Sequence, residues 1–327
     1  MNLGIVLLIV SAPDIGSTIQ GDALLSRGGW EKQEIVEGGD TWINGNGRVH
    51  LWWFPNKVLD EDNLDQRYTT LTGEKVDEVI FLSRHYAASG QPSLTLHVIG
   101  VPGESPLGER AEFGGIKGSV VPPNTRFASW YRRMYEAGVK HNLTPEFDLT
   151  IETTHHGPCL SVPTMFVEIG SSESHWGRKD AAEAWADVIY DGLGLNGGSE
   201  LGNWETLSDD EKLNSKIMLG IGGGHYAPRH TDVIRKTDCW AGHQIASYSL
   251  DMIKPDVENW DGTSDPYPKG QWSHAIKECL KSTKKAFPKG NIIAHLDRKS
   301  FKGWQRQSIK RLCQELNLPI GRTDDFK

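Results

Sequence analysis

Cysteine is scarce. Cys159, Cys239, Cys279 and Cys313 stand far apart, and no two of them form a C-x-x-C pair. A cysteine-based zinc finger is thereby excluded, and a disulfide framework has no support. The expectation is a reduced, intracellular protein, with the cytoplasm as its compartment. Long apolar runs are missing as well: nothing approaches the ~18 residues or more that a membrane-spanning helix needs. The opening stretch, Met1 to Ala12, imitates a signal peptide. It lacks a basic start and its apolar run is of strand length, so it reads as a buried first strand. Three catalytic signatures are also absent. There is no H-E-x-x-H, no G-x-S-x-G, and no Gly-Lys-Ser/Thr after a glycine-rich turn. These absences exclude the common zinc-protease helix, the serine-esterase elbow and the P-loop.

What remains is an ordinary globular composition, 37% hydrophobic and 24% charged over 327 residues. Strand-length and helix-length apolar patterns alternate along it. Strands are expected at Arg48 to Phe54, Val76 to Ser83, Ser93 to Gly100, Phe147 to Ile151, Pro163 to Ile169, Lys216 to Ile221 and Asn291 to Leu296. Helices are expected at Pro13 to Leu25 with Asp14 as N-cap, Asp62 to Leu71, Asn124 to His141, Lys179 to Leu193, Gln271 to Ala286, and Ser300 to Leu316 with Ser300 as N-cap. This alternation predicts an α/β fold: a single domain spanning 1–327 around one mixed, mostly parallel sheet flanked by helices. Three long loops interrupt it, at 102–123, 196–210 and 254–270.

Charge is unevenly distributed. The net charge is -8, yet residues 271–327 hold 13 Lys and Arg against 5 Asp and Glu. A basic end on an acidic body suits phosphate contact by one face. It is equally well read as a solvated helix face carrying Lys277, Lys281, Lys284 and Lys285.

The chemistry-bearing residues gather around Glu152-Thr153-Thr154-His155-His156-Gly157-Pro158 and Phe166-Val167-Glu168-Ile169-Gly170-Ser171-Ser172-Glu173. Each follows or contains an apolar run, so imidazoles and carboxylates are expected together at strand ends. His85, His97, His155, His156, His225 and His243 mostly lie at or just past such ends. With Glu168 or Glu173, two to four of them suit zinc binding or proton transfer. A His-His pair is also compatible with a plain turn, and Ser172 before acids with ordinary helix capping. Gly222-Gly223-Gly224-His225-Tyr226-Ala227 matches G-x-G-x-x-A, but comes too late in the chain for a dinucleotide fingerprint. Its glycines allow close backbone approach to an anion or substrate, or simply a tight turn.

Taken in order, Ser83-Arg84-His85, Leu96-His97-Val98-Ile99-Gly100, Thr154-His155-His156-Gly157-Pro158, Val167-Glu168-Ile169-Gly170-Ser171-Ser172-Glu173, Gly220-Ile221-Gly222-Gly223-Gly224-His225-Tyr226-Ala227-Pro228 and Gly242-His243 resemble the archaeal and plant type of D-aminoacyl-tRNA deacylase. The resemblance implies a phosphorylase/hydrolase-like α/β fold and hydrolysis of the ester between a D-amino acid and the 3′-terminal ribose of tRNA. It implies chiral proofreading, extended in plant members to aldehyde-modified substrates. It further implies a monomer that contacts the acceptor end of tRNA, and Zn2+ as cofactor. Carried onto this chain, it makes His85, His155, His156, Glu168, Glu173 and His225 catalytic. It assigns His97, Gly222, Gly223, Gly224, Tyr226 and His243 to substrate binding, and His155, His156 and Glu173 to the metal. His230 lies outside the matching blocks. Two other readings are a zinc-dependent small-molecule hydrolase or nucleoside phosphorylase-like enzyme, and a tRNA-binding module without catalysis.

Overall fold

A computed structural model describes residues 4–44, 47–103 and 112–327. The first three residues of the opening strand, and 104–111 of the 102–123 loop, lie outside the described residues. The strands are β1 Ile5–Ser11, β2 Trp30–Lys32, β3 Thr41–Asn44, β4 Val49–Phe54, β5 Val76–Arg84, β6 Ser93–Val98, β7 Gly100–Val101, β8 Ser119–Val120, β9 Asp148–Ile151, β10 Thr164–Gly170, β11 Lys216–Ile221, β12 Trp240–Ile245, β13 Asn291–Leu296 and β14 Ile320–Gly321. The helices are α1 Ile15–Ser26, α2 Leu64–Thr72, α3 Phe127–Lys140, α4 Glu173–Trp176, α5 Lys179–Gly192, α6 Asp209–Asn214, α7 Pro228–Lys236, α8 Trp272–Ala286 and α9 Gly303–Glu315.

The expected class holds, but the strands divide between two main sheets. An eight-stranded mixed sheet runs β2-β3-β4-β1-β5-β10-β6-β9, and a four-stranded, all-parallel sheet runs β12-β11-β13-β14. Side-chain alternation explains the first sheet. On β1, Val6, Leu8 and Val10 enter one apolar cluster with α3 and α5, while Ile5, Leu7 and Ile9 enter another with Leu64 and Tyr68 of α2. A strand apolar on both faces is a strand covered on both faces. The same period of two on β10 sends Met165, Val167 and Ile169 to the α3/α5 side. Phe166 and Glu168 are thereby left on the opposite face, where imidazoles and carboxylates collect.

The two sheets are joined by the segment after β9. Thr153 N–H donates to His225 O at 2.9 Å and Thr154 N–H to Gln244 O at 2.7 Å. Pattern reading missed β2 and β3 at the sheet edge, because Trp30–Lys32 and Thr41–Asn44 are too short to show alternation. It also missed α7 and β12, where glycine and polar residues mask the periodicity. Asp14 does cap α1, accepting from Gly16 N at 2.9 Å and Ser17 N at 3.2 Å. Ser300 does not cap α9, which begins after Lys302. Among the described residues, no helix is long and apolar enough to cross a membrane.

The 196–210 loop is pinned from beneath. Arg126, only 2% exposed, meets Glu78 at 2.8 Å and Glu200 at 2.6 Å, and donates to Gly192 O at 2.9 Å. Removing one partner of a buried ion pair strands the other charges. Arg126→Ala is therefore expected to lower unfolding stability by about 3–5 kcal/mol in urea titration, with little change in kcat. A loss under about 1 kcal/mol would mean that the loop is held mainly by packing.

Candidate active site

Glu168 projects from β10 and Glu152 follows β9, both fully enclosed. Around them stand five imidazoles. His85, just past β5, faces Glu152 Oε1 at 3.1 Å and Glu168 Oε2 at 3.3 Å through Nδ1. His97, on β6, faces Glu168 Oε1 at 3.8 Å, and its ring stacks on Phe166 at 5.3 Å between centroids. That stacking follows from register, since His97 and Phe166 are direct partners on antiparallel β6 and β10. His155 Nε2 lies 3.5 Å from Glu152 Oε2, and His225 Nε2 lies 3.0 Å from the same oxygen. His156 packs edge-on against His97 and His155, at 4.8 and 4.5 Å.

Burial works against charge on His85, but the hydrogen bond to Glu168 and the charge of Glu152 overcome it and hold the imidazole up at about 8. His85 is thus cationic near neutral pH, and its Nε2–H donates to the Tyr226 hydroxyl at 2.9 Å. His155 and His156 go the other way. Burial, reinforced by the charge on His97, depresses both, His156 to about 4. Each is locked in one tautomer, with Nδ1 at 2.7 Å from Thr153 O in His155 and 2.6 Å from Gly157 O in His156. The proton sits on Nδ1, and Nε2 is left as a lone-pair donor. His156 holds this position at φ 45°, in the left-handed region that a non-glycine residue adopts only when its surroundings fix it.

Within this chamber, three groups of side chains bring their ligand atoms within 4.8 Å of one another: His97, His155 and His156; His85, Glu152 and His225; and His97, Glu152 and Glu168. His97 Nε2 and both Glu152 oxygens are buried without a well-aligned hydrogen bond, although imidazoles stand close by. Buried polar atoms of this kind ordinarily have partners. A cation would supply one by taking the place of the proton on His97 or His85, and imidazole nitrogens with carboxylate oxygens are a donor set that fits zinc.

Several residues singled out from sequence lie elsewhere. Glu173 is exposed in the first turn of α4 and belongs to none of these groups, so it does not join His155 and His156. The Ser-Ser-Glu segment turned away to start a helix. His243 is wholly enclosed in β12, its Nδ1 on Thr154 Oγ1 at 3.1 Å and its Nε2 near Ser282 Oγ at 3.3 Å, so it braces the junction and offers nothing to a substrate. The glycine turn has φ 107° at Gly222 and 96° at Gly223, and a Cβ on Gly222 would meet Phe301 at 2.8 Å. Two of its amides are engaged: Gly222 N–H donates to Ile245 O and Gly223 N–H to Ser300 Oγ, each at 2.8 Å. Gly224, exposed, is the one whose amide has no partner among the described residues.

Sequence reading passed over Glu152 and set His230 aside as outside the matching blocks. Glu152 opened the central motif but was passed over for Glu168 and Glu173; its signal was its place directly after an apolar run. His230 props the turn from behind. It donates from Nε2 to Gly222 O at 3.1 Å and meets His295 Nδ1 at 2.7 Å.

A carboxylate pair under five imidazoles, reaching solvent chiefly at His225, whose side chain is 40% exposed, makes this an α/β enzyme with an acid–base or metal centre. A family model described as D-aminoacyl-tRNA deacylase matches residues 72–321. The D-aminoacyl-tRNA deacylase of Arabidopsis thaliana is 42% identical over 98% of this chain and 99% of its own length. That of Archaeoglobus fulgidus is 28% identical, over 76% of this chain and 79% of its own. A solved structure described as a conserved protein of unknown function shares the fold, with a TM-score of 0.75 and 22% identity over 100% of this chain and 98% of that one. The chain belongs to the D-aminoacyl-tRNA deacylase family.

Burial, then the charge of His295, depresses His230 from 6.5 to about 3. A group whose folded pKa lies below its unfolded value contributes stability above the unfolded value, and loses it as pH falls. Unfolding stability should therefore drop below pH 6.5. His230→Gln is expected to flatten that slope by one proton, about 1.4 kcal/mol per pH unit. Urea titrations at a series of pH values check this; an unchanged slope would mean that His230 is charged in the fold.

Proposed function

We propose that this chain hydrolyses the ester joining a D-amino acid to the 3′-terminal ribose of tRNA, releasing free tRNA and the D-amino acid. Family membership supports the reaction, and one observation carries the mechanism: the Glu152–His225 pair at the mouth of the chamber, 3.0 Å apart. The ionised carboxylate has no proton to share, so the proton between them belongs to His225 Nε2. Nδ1 is then the nitrogen left to take a proton from water as that water attacks the ester carbonyl. The same proton passes to the ribose oxygen as the C–O bond breaks. Gly224 N–H, on the adjacent exposed turn, is the donor best placed in sequence to meet the oxyanion. His85 and Tyr226 hold the second side of Glu152 and Glu168 and keep the chamber's charge balanced.

In this reading His97, His155 and His156 hold zinc, with Glu168 or Glu152 as the acidic partner. Bound there, zinc would supply positive charge that offsets the carboxylates and would offer Lewis-acid chemistry. Its support is the neutral, tautomer-locked pair and the unaligned polar atoms described above. The reading takes the chain to act as a monomer on the acceptor end of tRNA. The cytoplasm, where acylated tRNA is used, is the compartment this reading implies.

D-tyrosyl-tRNA and L-tyrosyl-tRNA, assayed side by side, test the reaction. The D ester alone should disappear quickly, and Glu152→Gln should slow it by about 10²–10⁴-fold while leaving the fold intact. Survival of the D ester at the buffer rate, or equal loss of both, would sink the proposal. The metal has its own test. Atomic absorption should find stoichiometric zinc in the purified chain and a marked loss in His97→Ala and His156→Ala. Undiminished zinc in both variants would place the metal elsewhere.

A further inference from the structure

The second sheet carries a cavity of about 690 Å³ that the chemistry above does not use. It opens where β13 and β14 end, the usual place for a ligand in a parallel sheet. Its lining includes Arg229, Arg298, Lys299, Lys310 and Arg322. Asp297 is the one carboxylate in that lining, and it is already committed, to Arg229 at 2.5 Å, Lys299 N at 3.0 Å and Ser300 Oγ at 3.0 Å. Arg298, Lys299, Lys310 and Arg322 form no ion pair among the described residues. Four uncompensated cations around one cleft repel one another unless an anion sits between them. Among the described residues the only aromatic ring in the lining is His295, and it already packs edge-on against His230 and Phe326, so the cleft offers mainly charge. That combination suits backbone phosphates rather than bases.

Position decides which phosphates. In the order β12-β11-β13-β14, the glycine turn leaves β11 and the cleft lies at the ends of its neighbour β13 and of β14 beyond it. Adjacent strands lie about 4.8 Å apart. The two features share a wall, since Gly223 N–H is bonded to Ser300 and Arg229 stands four residues beyond His225. We propose that this cleft binds the backbone phosphates of the tRNA strand leading to the scissile ester, so that the terminal ribose crosses the glycine turn to reach His225. The inference rests on the deacylase reading. It also relocates the basic contact: the α8 lysines Lys277, Lys281, Lys284 and Lys285 are not part of the cleft.

Arg298, Lys299 and Arg322 are exposed, so replacing them leaves the core untouched. The experiment compares the wild-type chain with the Arg298→Ala, Lys299→Ala, Arg322→Ala triple variant. Substrates are D-tyrosyl-tRNA and 3′-O-D-tyrosyl-adenosine, which has the ester but no phosphate; binding of deacylated tRNA is followed by anisotropy across a salt series. The variant should bind tRNA at least ~10-fold more weakly, with a log–log salt slope shallower by about 2. KM for D-tyrosyl-tRNA should rise with kcat held, and cleavage of the adenosine ester should be unaltered. Unchanged tRNA affinity and slope would overturn the proposal, even if inorganic phosphate competes for the cleft. Equal losses on both esters would overturn it too, by showing a distorted active site. If the wild-type chain cleaves neither ester, the deacylase reading falls, while the binding series still decides the cleft.

Discussion

Two carboxylates with almost no access to water impose the rest of this structure. Glu152 and Glu168 each repel the other across the same chamber, and burial penalises both. They stay ionised because imidazoles approach from every side. The consequence is a division of labour among chemically identical side chains. His85 carries charge, His155 and His156 are kept neutral, and His225 bridges the interior to the surface. The surrounding fold reads as the device that keeps these rings in their assigned states: Phe166 beneath His97, backbone carbonyls on His155 and His156, and Tyr226 on His85.

The sequence revealed the fold class and most of the strand and helix positions, because buried strands such as β1 announce themselves as apolar runs. It also located the histidines, since His-His and Gly-Gly-Gly-His sit in turns that punctuate those runs. Register could not be read. Only pairing β6 antiparallel to β10 sets His97 opposite Phe166, and nothing in either strand alone states their relative direction. The same limit explains Glu173 and Glu152. In one dimension both are acids beside a strand; in three, a short helix carries the first outward, while the crossing between sheets carries the second to the centre. His243 illustrates a related confusion. An enclosed histidine with both nitrogens satisfied looks, in sequence, like any other histidine in a motif.

The division into two sheets was hidden for a similar reason. The Lys216–Ile221 and Asn291–Leu296 runs have the character of ordinary parallel strands, and strands of that kind extend one sheet as readily as they begin another. The junction is made by polar contacts, Thr153 and Thr154 against His225, Gln244 and His243, and polar residues carry no periodic signal. The buried carboxylates and imidazoles have accumulated at that seam, where neither sheet alone can build the chamber.

The seam also sets a timetable. Glu152 and the paired histidines come early in the chain, His225 later, and β11, which bears the glycine turn, lies between β12 and β13. The turn is finally secured by Ser300. During synthesis, therefore, the centre stays incomplete until the chain through Ser300 has left the ribosome, because contacts between distant segments form only once both exist.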